Sequence, residues 1–235
     1  MCTLSWKWSN EAFHLFFNRD ESKDRPEAIE PTIFTLDENL KCLAAKDPQG
    51  GGTWLGVNSK GLIVAIVNDY QSSYLPGEEK LRSRGLLVLD TLKNKDLQYC
   101  EDFLRKTDFS CYPGFLLHIF NLDEGGIQVA WNGEKLVRSN LKDVTQPISS
   151  SSMFPKEARA YRENLFSDSF SKLEQQKFHR YHDEQNPALS PWMKREDAHS
   201  HSYTEIELSK TQVSLQYGKT VSEALLSQKM EMFFD

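Results

Sequence analysis

Short apolar segments joined by tight-turn residues recur along the chain and restrict the folds open to it. Asn132-Gly133 and Ser59-Lys60-Gly61 each separate two such segments, and glycine supplies the positive φ that tight hairpin turns need. Segments of this length and composition are typical of β-strands. Strands are predicted over residues 3–8, 13–18, 54–58, 62–68, 114–121, 127–131, 135–137, 203–208, 213–217 and 230–234.

Helices are predicted in two parts of the chain. Residues 84–92 and 96–105 have helix-like apolar spacing, and residues 156–181 lack glycine and proline and suit one or two helices. Residues 23–31, 71–80 and 186–197 are predicted to be loops. This order of elements predicts an α+β fold with helices packed on antiparallel sheets. No repeat or clear boundary divides the sequence, so a single domain over residues 1–235 is predicted.

The charge and hydropathy of the chain exclude several classes of partner. The formal net charge is -6, and binding to nucleic acid needs clustered Lys and Arg, so no nucleic-acid partner is expected. No run approaches the ~20 apolar residues of a membrane span. Lys7, Asn10 and Glu11 interrupt the first segment before the apolar stretch of a signal peptide can form. We therefore expect a cytoplasmic protein without stable membrane insertion.

One of the four cysteines stands apart by its position. No C-x-x-C spacing occurs among the four cysteines, which favours reduced thiols; they are Cys2, Cys42, Cys100 and Cys111. Removal of Met1 would make Cys2 the chain terminus, with a thiol of reference pKa about 8.5 and an α-amine of about 7.7–8.0 on one residue. Nucleophilic catalysis uses such a pairing of nucleophile and base. The alternative is that a small residue at position 2 carries no function.

Three motifs within roughly the first 90 residues resemble a known family. They are Met1-Cys2 with NRDE at 18–21, GGGTWLGVN at 50–58 continued by Gly61 and Asn68, and RSRG at 82–85. In this order they are similar to the transport and Golgi organisation 2 family, also named for its NRDE motif. That family resembles the N-terminal nucleophile hydrolases, in particular the bile-salt and penicillin V acylases. The resemblance implies a four-layer αββα sandwich of two antiparallel sheets flanked by helices.

The same resemblance implies a catalytic set. Cys2 would be the nucleophile and Asn68 an oxyanion donor, because an amide side chain has two N–H groups to donate. Arg19 would lower the pKa of the thiol through its positive charge, and Asp20 would hold the α-amine. Neighbours on a strand point to opposite faces, so these two residues reach one site only where the strand ends or bulges. The alternative is a structural ion pair that closes a hairpin.

The chain departs from the acylase pattern at two places. The acylases separate their arginine and aspartate by three positions, whereas Arg19 and Asp20 are adjacent. The acylases also take a second asparagine from a later loop, where this chain has serines at 149–152, and no arginine matches their late arginine near residues 199–204. Loss of one oxyanion donor typically costs about 10²–10³ in rate. The sequence leaves open which residue replaces that asparagine.

Further residues are predicted to contact a small-molecule ligand. These are Asn18, Trp54, Arg82 and Arg84, of which the arginines would complement an acidic group near a helix N-terminus. The alternatives are a core position for Trp54 and solvated surface charge for the arginines. The glycines at 50–52 lack the G-x-G-x-x-G order of a nucleotide loop, and a flexible turn is predicted there.

Two histidine pairs raise the question of a metal. His179 and His182 are three apart on a predicted helix, and His199 and His201 are two apart on an extended segment, so each pair would share a face. Such pairs suit zinc or haem iron, yet the chain has no short Cys/His signature of a structural zinc site. We predict neither a metal site nor a bound cofactor.

Three functions remain open from the sequence. The first is a cysteine hydrolase acting on a linear amide, predicted from Cys2, Asn68 and the resemblance. The second is a non-catalytic protein of the same fold that binds or moves a haem-like or lipid-like ligand, as members of the resembled family are linked to haem and lipid homeostasis. The third is a structural interaction module. The sequence gives no oligomeric state.

Overall fold

The computed structural model describes residues 2–9, 11–141, 146–166, 171–226 and 229–234, apart from the side chains of Glu78 and residues 224–226. Thirteen strands and five helices occur in this part of the chain. The strands are β1 (Cys2–Trp8), β2 (Phe13–Ser22), β3 (Ile29–Asp37), β4 (Leu40–Lys46), β5 (Leu55–Asn58), β6 (Ile63–Asn68), β7 (Phe115–Asn121), β8 (Gly125–Trp131), β9 (Leu136–Leu141), β10 (Ile148–Ser150), β11 (Ala198–Leu208), β12 (Gln212–Gly218) and β13 (Met230–Phe233). The helices are α1 (Arg84–Leu92), α2 (Leu97–Lys106), α3 (Pro155–Leu165), α4 (Lys172–Arg180) and α5 (Val221–Leu226).

The strands form two antiparallel sheets. One has six strands in the order β10-β1-β2-β11-β12-β13, and the other has seven in the order β3-β4-β5-β6-β7-β8-β9. The second sheet is a meander, because every strand pairs with its neighbour in sequence. The first sheet instead brings together segments far apart in the chain, since β1 lies between β2 and β10. The predicted α+β fold of helices and antiparallel sheets is therefore confirmed.

The chain divides into two compact units. The first groups the described residues of Met1–Arg25, Asp143–Leu208 and Ser214–Met230. The second groups those of Pro26–Lys142, Ser209–Val213 and Glu231–Asp235. The first unit holds strands β1, β2, β10 and β11 of the six-stranded sheet, and the second holds the whole seven-stranded sheet. The single domain expected over residues 1–235 stays a prediction.

The sequence pattern located most elements and missed four. Residues 23–31 were expected to be loop, yet β3 begins at Ile29. Its side chains are mostly exposed or half-buried, so it lacks the clean apolar alternation that marks a strand, and Pro31 fits because β3 is an edge strand. Three other elements were also missed, namely its partner β4, the short strand β10 and the short helix α5. The helical prediction over 156–181 corresponds to α3 and α4, and residues 167–170 between them lie outside the described residues.

The core of the first unit lies on both faces of its sheet. Phe13, Leu15 and Phe17 alternate along β2 with no exposed surface, and Phe16 on the opposite face packs with Tyr203. Alternation of side chains between faces explains why both sets are buried in one strand. The polar residues at 18–21 belong to the same strand, and the pairing of β2 with β1 and β11 fixes the position of their backbone.

The glycines at 50–52 do not form the loose turn expected of them. A Cβ on Gly52 would lie 2.1 Å from the carbonyl carbon of Gly85, at the start of α1. The Thr53 amide donates to the Gly85 carbonyl at 3.1 Å, so two backbone segments are in direct contact here. Glycine is required because any side chain would push α1 away from the chain before β5.

The helices of the described residues are all short. None combines the length and the apolar character that crossing a bilayer as a helix requires.

Candidate functional site

Four polar side chains form a row across the strand ends of the first sheet. Cys2 on β1 lies opposite Arg19 on β2 and opposite Ser150 on β10, and Arg19 lies opposite Ser202 on β11. Directly opposite residues of an antiparallel sheet share a face, with Cβ atoms about 4.5–5.5 Å apart. The structure therefore brings the predicted nucleophile and the predicted activating arginine together on one face.

The Cys2 thiol is buried, with 7% of the residue exposed. Burial raises the pKa of this thiol to about 11, and the Asp20 and Glu21 carboxylates act in the same direction. The α-amine at the start of the chain and, more weakly, the Arg19 guanidinium oppose them because a positive charge favours the thiolate. Burial is the largest influence, so the thiol as described here is mostly protonated at neutral pH.

Asp20 lies on the other face of the sheet from Cys2 and Arg19. Its Oδ1 accepts a hydrogen bond from the Ser200 hydroxyl at 2.6 Å, and its Oδ2 lies 3.5 Å from Nη2 of Arg162. Cys2 and Arg19 are directly opposite each other on antiparallel strands. Asp20, the residue after Arg19, therefore lies on the side of the Cys2 backbone nitrogen. Asp20 thus stands near the position of a terminal amine, although its side chain does not share the face of the thiol. Its predicted role in holding the amine stays a prediction.

Arg162 of α3 is the largest fully buried side chain in the described part of the chain. Its Nη1 donates to Oγ1 of Thr3 at 2.7 Å, and its Nη2 donates to the carbonyl of Ser190 at 2.9 Å. Its Nε donates to the carbonyl of Leu189 at 3.1 Å. A buried charge needs a partner and hydrogen bonds. Asp20 and these contacts supply both, so one guanidinium connects α3, two strands and a loop.

Asn18 and His179 form a second buried network under the same strands. The Asn18 amide donates to the carbonyls of His179 and Pro191, each at 2.7 Å, and its Oδ1 lies 3.1 Å from Nδ1 of His179. The opposite ring nitrogen of His179 lies 2.8 Å from the Ser5 hydroxyl. Both Asn18 N–H groups are occupied by backbone carbonyls, and the residue is fully buried. It acts here as a structural link, and its contact with a substrate stays a prediction.

The remaining predicted site residues lie in the second unit. Asn68 ends β6, and its amide donates to the Tyr70 hydroxyl at 2.9 Å. Trp54 is 7% exposed, as the alternative of a core position expects. Arg82 forms an ion pair with Asp90 at 2.7 Å, and Arg84 donates a hydrogen bond to the Gly114 carbonyl at 2.8 Å. Their convergence on Cys2 stays a prediction.

The first histidine pair differs from what its spacing indicates, whereas the second lies together on one strand as predicted. Helix α4 ends at Arg180, so His182 lies beyond it and does not share a helical face with His179. His199 and His201 both lie on β11, and their rings stack at 4.3 Å beside the bulge between Ser200 and Ser202. Among the residues that the structure describes, no group of three or more His, Cys, Asp or Glu side chains is placed to hold a metal ion.

Several residues of this site escaped the sequence analysis. Arg162 and Ser200 contact Asp20 across 142 and 180 residues of chain, and Ser5 contacts His179 across 174. Local patterns carry no information about contacts at such separations. The one available signal was the absence of glycine and proline from residues 156–181, which indicated helix but not which side chains face the sheet.

Comparison with known proteins places the chain among its relatives. The model of the family "Transport and Golgi organisation 2" matches residues 1–232. The mouse protein "Transport and Golgi organization 2 homolog" is 32% identical over 124 residues, which are 49% of this chain and 43% of that protein. The human "Transport and Golgi organization protein 2 homolog" is 29% identical over 137 residues, which are 55% of this chain and 47% of that protein. These matches span less than half the length of either relative.

Solved structures are similar in fold at low sequence identity. Penicillin V acylase from Agrobacterium tumefaciens has a TM-score of 0.53 at 13% identity, with 92% of this chain and 82% of that chain covered. A mutant of conjugated bile acid hydrolase from Clostridium perfringens scores 0.55 at 13% identity, with 99% and 92% covered. The Caenorhabditis elegans ortholog of N-acylethanolamine-hydrolyzing acid amidase scores 0.56 at 10% identity, with 88% and 92% covered.

These two comparisons support different statements. The structural neighbours confirm the predicted N-terminal nucleophile hydrolase-like fold, because similarity at such low identity bears on fold alone. The family match extends over almost the whole sequence. The chain therefore belongs to the Transport and Golgi organisation 2 family.

Proposed function

We propose that this protein is a cysteine hydrolase that cleaves linear amide bonds of a small cytoplasmic substrate, with Cys2 as the nucleophile once Met1 has been removed. The pairing of Cys2 with Arg19 on one face of the first sheet carries the proposal. A fixed positive charge beside a thiol favours the thiolate, which is the attacking species. The names of the structural neighbours, an acylase, a hydrolase and an acid amidase, support amides as the substrate class.

The nucleophile and the base of the proposed chemistry both belong to the processed Cys2. The terminal α-amine takes the thiol proton, and Sγ attacks the amide carbonyl carbon. The C–N bond breaks as the leaving amine receives that proton, which leaves an acyl thioester on Cys2. Water, deprotonated by the same amine, then attacks the thioester carbonyl carbon, and the C–S bond breaks as Sγ receives that proton, which releases the carboxylic acid and restores the thiol. The oxyanion of each step requires N–H or O–H donors, for which Asn68 is the proposed side chain.

Removal of Met1 is the step on which activity depends. With a pKa of about 11, the buried thiol is ionised in only about one molecule in 10⁴ at pH 7. A chain that keeps Met1 has no amine at Cys2 to take the proton, so its thiol is expected to be nearly inert. Processing would therefore convert an unreactive buried cysteine into the nucleophile.

The test combines the state of the N-terminus with the reactivity of Cys2. Mass spectrometry of the purified protein is expected to find a chain that lacks Met1, and iodoacetamide is expected to alkylate Cys2 before the buried Cys42 and Cys100. Incubation with linear N-acyl amides should then give an acyl adduct on Cys2 that is absent from Cys2→Ala. Retention of Met1, or hydrolysis that survives Cys2→Ala, would refute the proposal.

A second function is favoured by the burial of Cys2. A thiol of raised pKa with little exposed surface resembles a core cysteine, as a non-catalytic protein of this fold would have. Such a protein would bind or move a haem-like or lipid-like ligand. Titration with haem, followed by its Soret band, separates the two functions. Tight binding that is unchanged in Cys2→Ala, together with no acyl adduct in the wild-type protein, would favour this alternative.

A further inference from the structure

The buried guanidinium of Arg162 stands at the strand ends where Cys2 lies, yet the chemistry proposed above does not use it. Its Nη1 contacts Thr3, the residue after Cys2, at 2.7 Å. Its Nη2 contacts Asp20, the residue after Arg19, at 3.5 Å. Arg162 therefore bridges the neighbours of both members of the Cys2–Arg19 pair.

The bridge is rigid because Arg162 is itself fixed from a third side. Its Nε and Nη2 donate to the carbonyls of Leu189 and Ser190, at 3.1 and 2.9 Å. A planar guanidinium with four such contacts has little freedom to turn. Asp20 is held in addition by the Ser200 hydroxyl at 2.6 Å. The strand ends on either side of the thiol are thus held by α3 and by the loop before β11.

The charge of Arg162 has a second consequence. The charges that act on Cys2 are the α-amine at the start of the chain, Asp20, Arg19 and Glu21 on β2, and Arg162 on α3. His199 and His201 on β11 lie near Asp20 and Arg19 in turn. Asp20 disfavours the thiolate, and Arg162 offsets its negative charge. A nearby positive charge favours a thiolate and disfavours an ammonium ion, so it lowers the pKa of both.

We propose that Arg162 is a positioning residue for Cys2. It holds Thr3 and Asp20 at the end of the strand pair, and it offsets the Asp20 charge that acts through the strand on the thiol and on a terminal amine at Cys2. The proposal rests on the proposed function, because it gives Arg162 a part in preparing the same nucleophile. It also gives a part in the site to a fully buried arginine. Arg162 touches no reacting atom and acts through Thr3 and Asp20.

The test measures alkylation of Cys2 by iodoacetamide as a function of pH, with the N-terminus of each sample identified by mass spectrometry. Arg162→Met is expected to raise the apparent pKa of alkylation by about one unit, which lowers the rate about tenfold at a fixed pH below that pKa. Arg162→Lys keeps the charge and should restore most of the rate. Arg159→Met on the same helix is the matched control, because Arg159 is exposed and forms an ion pair with Glu163.

A second comparison covers the case in which Arg162→Met does not fold. Asp20→Asn with Arg162→Met removes the buried pair together, and its pKa of alkylation should exceed that of Asp20→Asn alone. An unchanged pKa in a folded Arg162→Met variant, or equal values in the second comparison, would overturn the proposal.

The alkylation assay needs no substrate, so it separates the two proposals. A shift in the pKa of alkylation without any amide hydrolysis would leave Arg162 as a positioning residue and refute the hydrolase. Hydrolysis at Cys2 with no shift in Arg162→Met would refute the role of Arg162 and leave the hydrolase intact.

Discussion

Replacement of the buried His179 by glutamine is expected to flatten the acid dependence of stability. The imidazole is fully buried, its Nδ1 faces the Oδ1 of Asn18 at 3.1 Å, and its Nε2 lies 2.8 Å from the Ser5 hydroxyl. Asn18 donates both N–H groups to backbone carbonyls, so its Oδ1 is an acceptor and Nδ1 of His179 must carry the proton. The neutral ring then accepts from Ser5.

Protonation of this ring is opposed by its surroundings rather than by its hydrogen bonds. The Ser5 hydroxyl can turn to Oε1 of Gln175 at 3.0 Å and accept from a charged ring. Burial nevertheless lowers the pKa of His179 to about 3, and the positive charges of Arg162 and Arg180 act in the same direction. The native protein therefore keeps His179 neutral at pH values where the unfolded chain binds a proton.

The size of the effect follows from the difference between the two states. With a pKa of about 3 in the native state and 6.5 in the unfolded state, the contribution of His179 is complete above pH 6.5 and is lost as the pH falls towards 3. Each pH unit in that window costs about 1.4 kcal/mol, so about 2 kcal/mol of the free energy of unfolding is lost between pH 7 and pH 5. His118, also buried and with its pKa lowered to about 4, contributes equally to both proteins compared.

The assay is urea unfolding followed by tryptophan fluorescence at pH 7 and pH 5. His179→Gln is expected to cost about 1–3 kcal/mol at pH 7, because it disturbs buried hydrogen bonds. Its loss of stability between pH 7 and pH 5 should be smaller than that of the wild-type protein by about 2 kcal/mol. His182→Gln, the same change at a half-buried position outside α4, is the matched control and should keep the wild-type difference. Equal pH dependence in His179→Gln and wild type would refute the reasoning.

Two further predictions concern the contacts that hold α1 in the second unit. Gly52→Ala would place a Cβ 2.1 Å from the carbonyl carbon of Gly85, so we expect the free energy of unfolding in urea to fall by about 3 kcal/mol or more. A decrease below about 1 kcal/mol would show that the backbone around residue 52 moves to accommodate the methyl group. Asn58→Ala removes the hydrogen bonds that the side-chain amide donates to the carbonyls of Leu92 and Asn94, at 2.9 and 2.8 Å. The free energy of unfolding should fall by about 2–4 kcal/mol, whereas an unchanged value would show that water replaces the amide.

Most elements could be predicted because their causes are local. The hairpin β5–β6 follows from the turn at Ser59-Lys60-Gly61, where Gly61 has a φ of 74°. Helices α1 and α2 follow from apolar spacing, and Asp96 accepts from the Tyr99 amide as an N-cap should. Strand β3 was missed because an exposed edge strand has no buried face to pattern its sequence.

The candidate catalytic residues could also be predicted only where the information is local. Cys2 and the NRDE segment could be identified from the sequence because their order in the chain carries the family resemblance. Alternation along a strand also predicted that Arg19 and Asp20 would face opposite ways, and the register with β1 and β11 confirms it. The sequence could not predict that Asp20 would contact Arg162 and Ser200, which lie far along the chain.

The amino-acid sequence by itself determined most of the strands and helices, the family, and a cysteine at position 2. Only the tertiary structure decided which side chains surround that thiol. A strand pattern fixes the face on which a residue lies, but burial and charge depend on segments brought together from distant parts of the chain. For this reason the pKa of Cys2 and the buried partners of Asp20 could be known only from the folded protein.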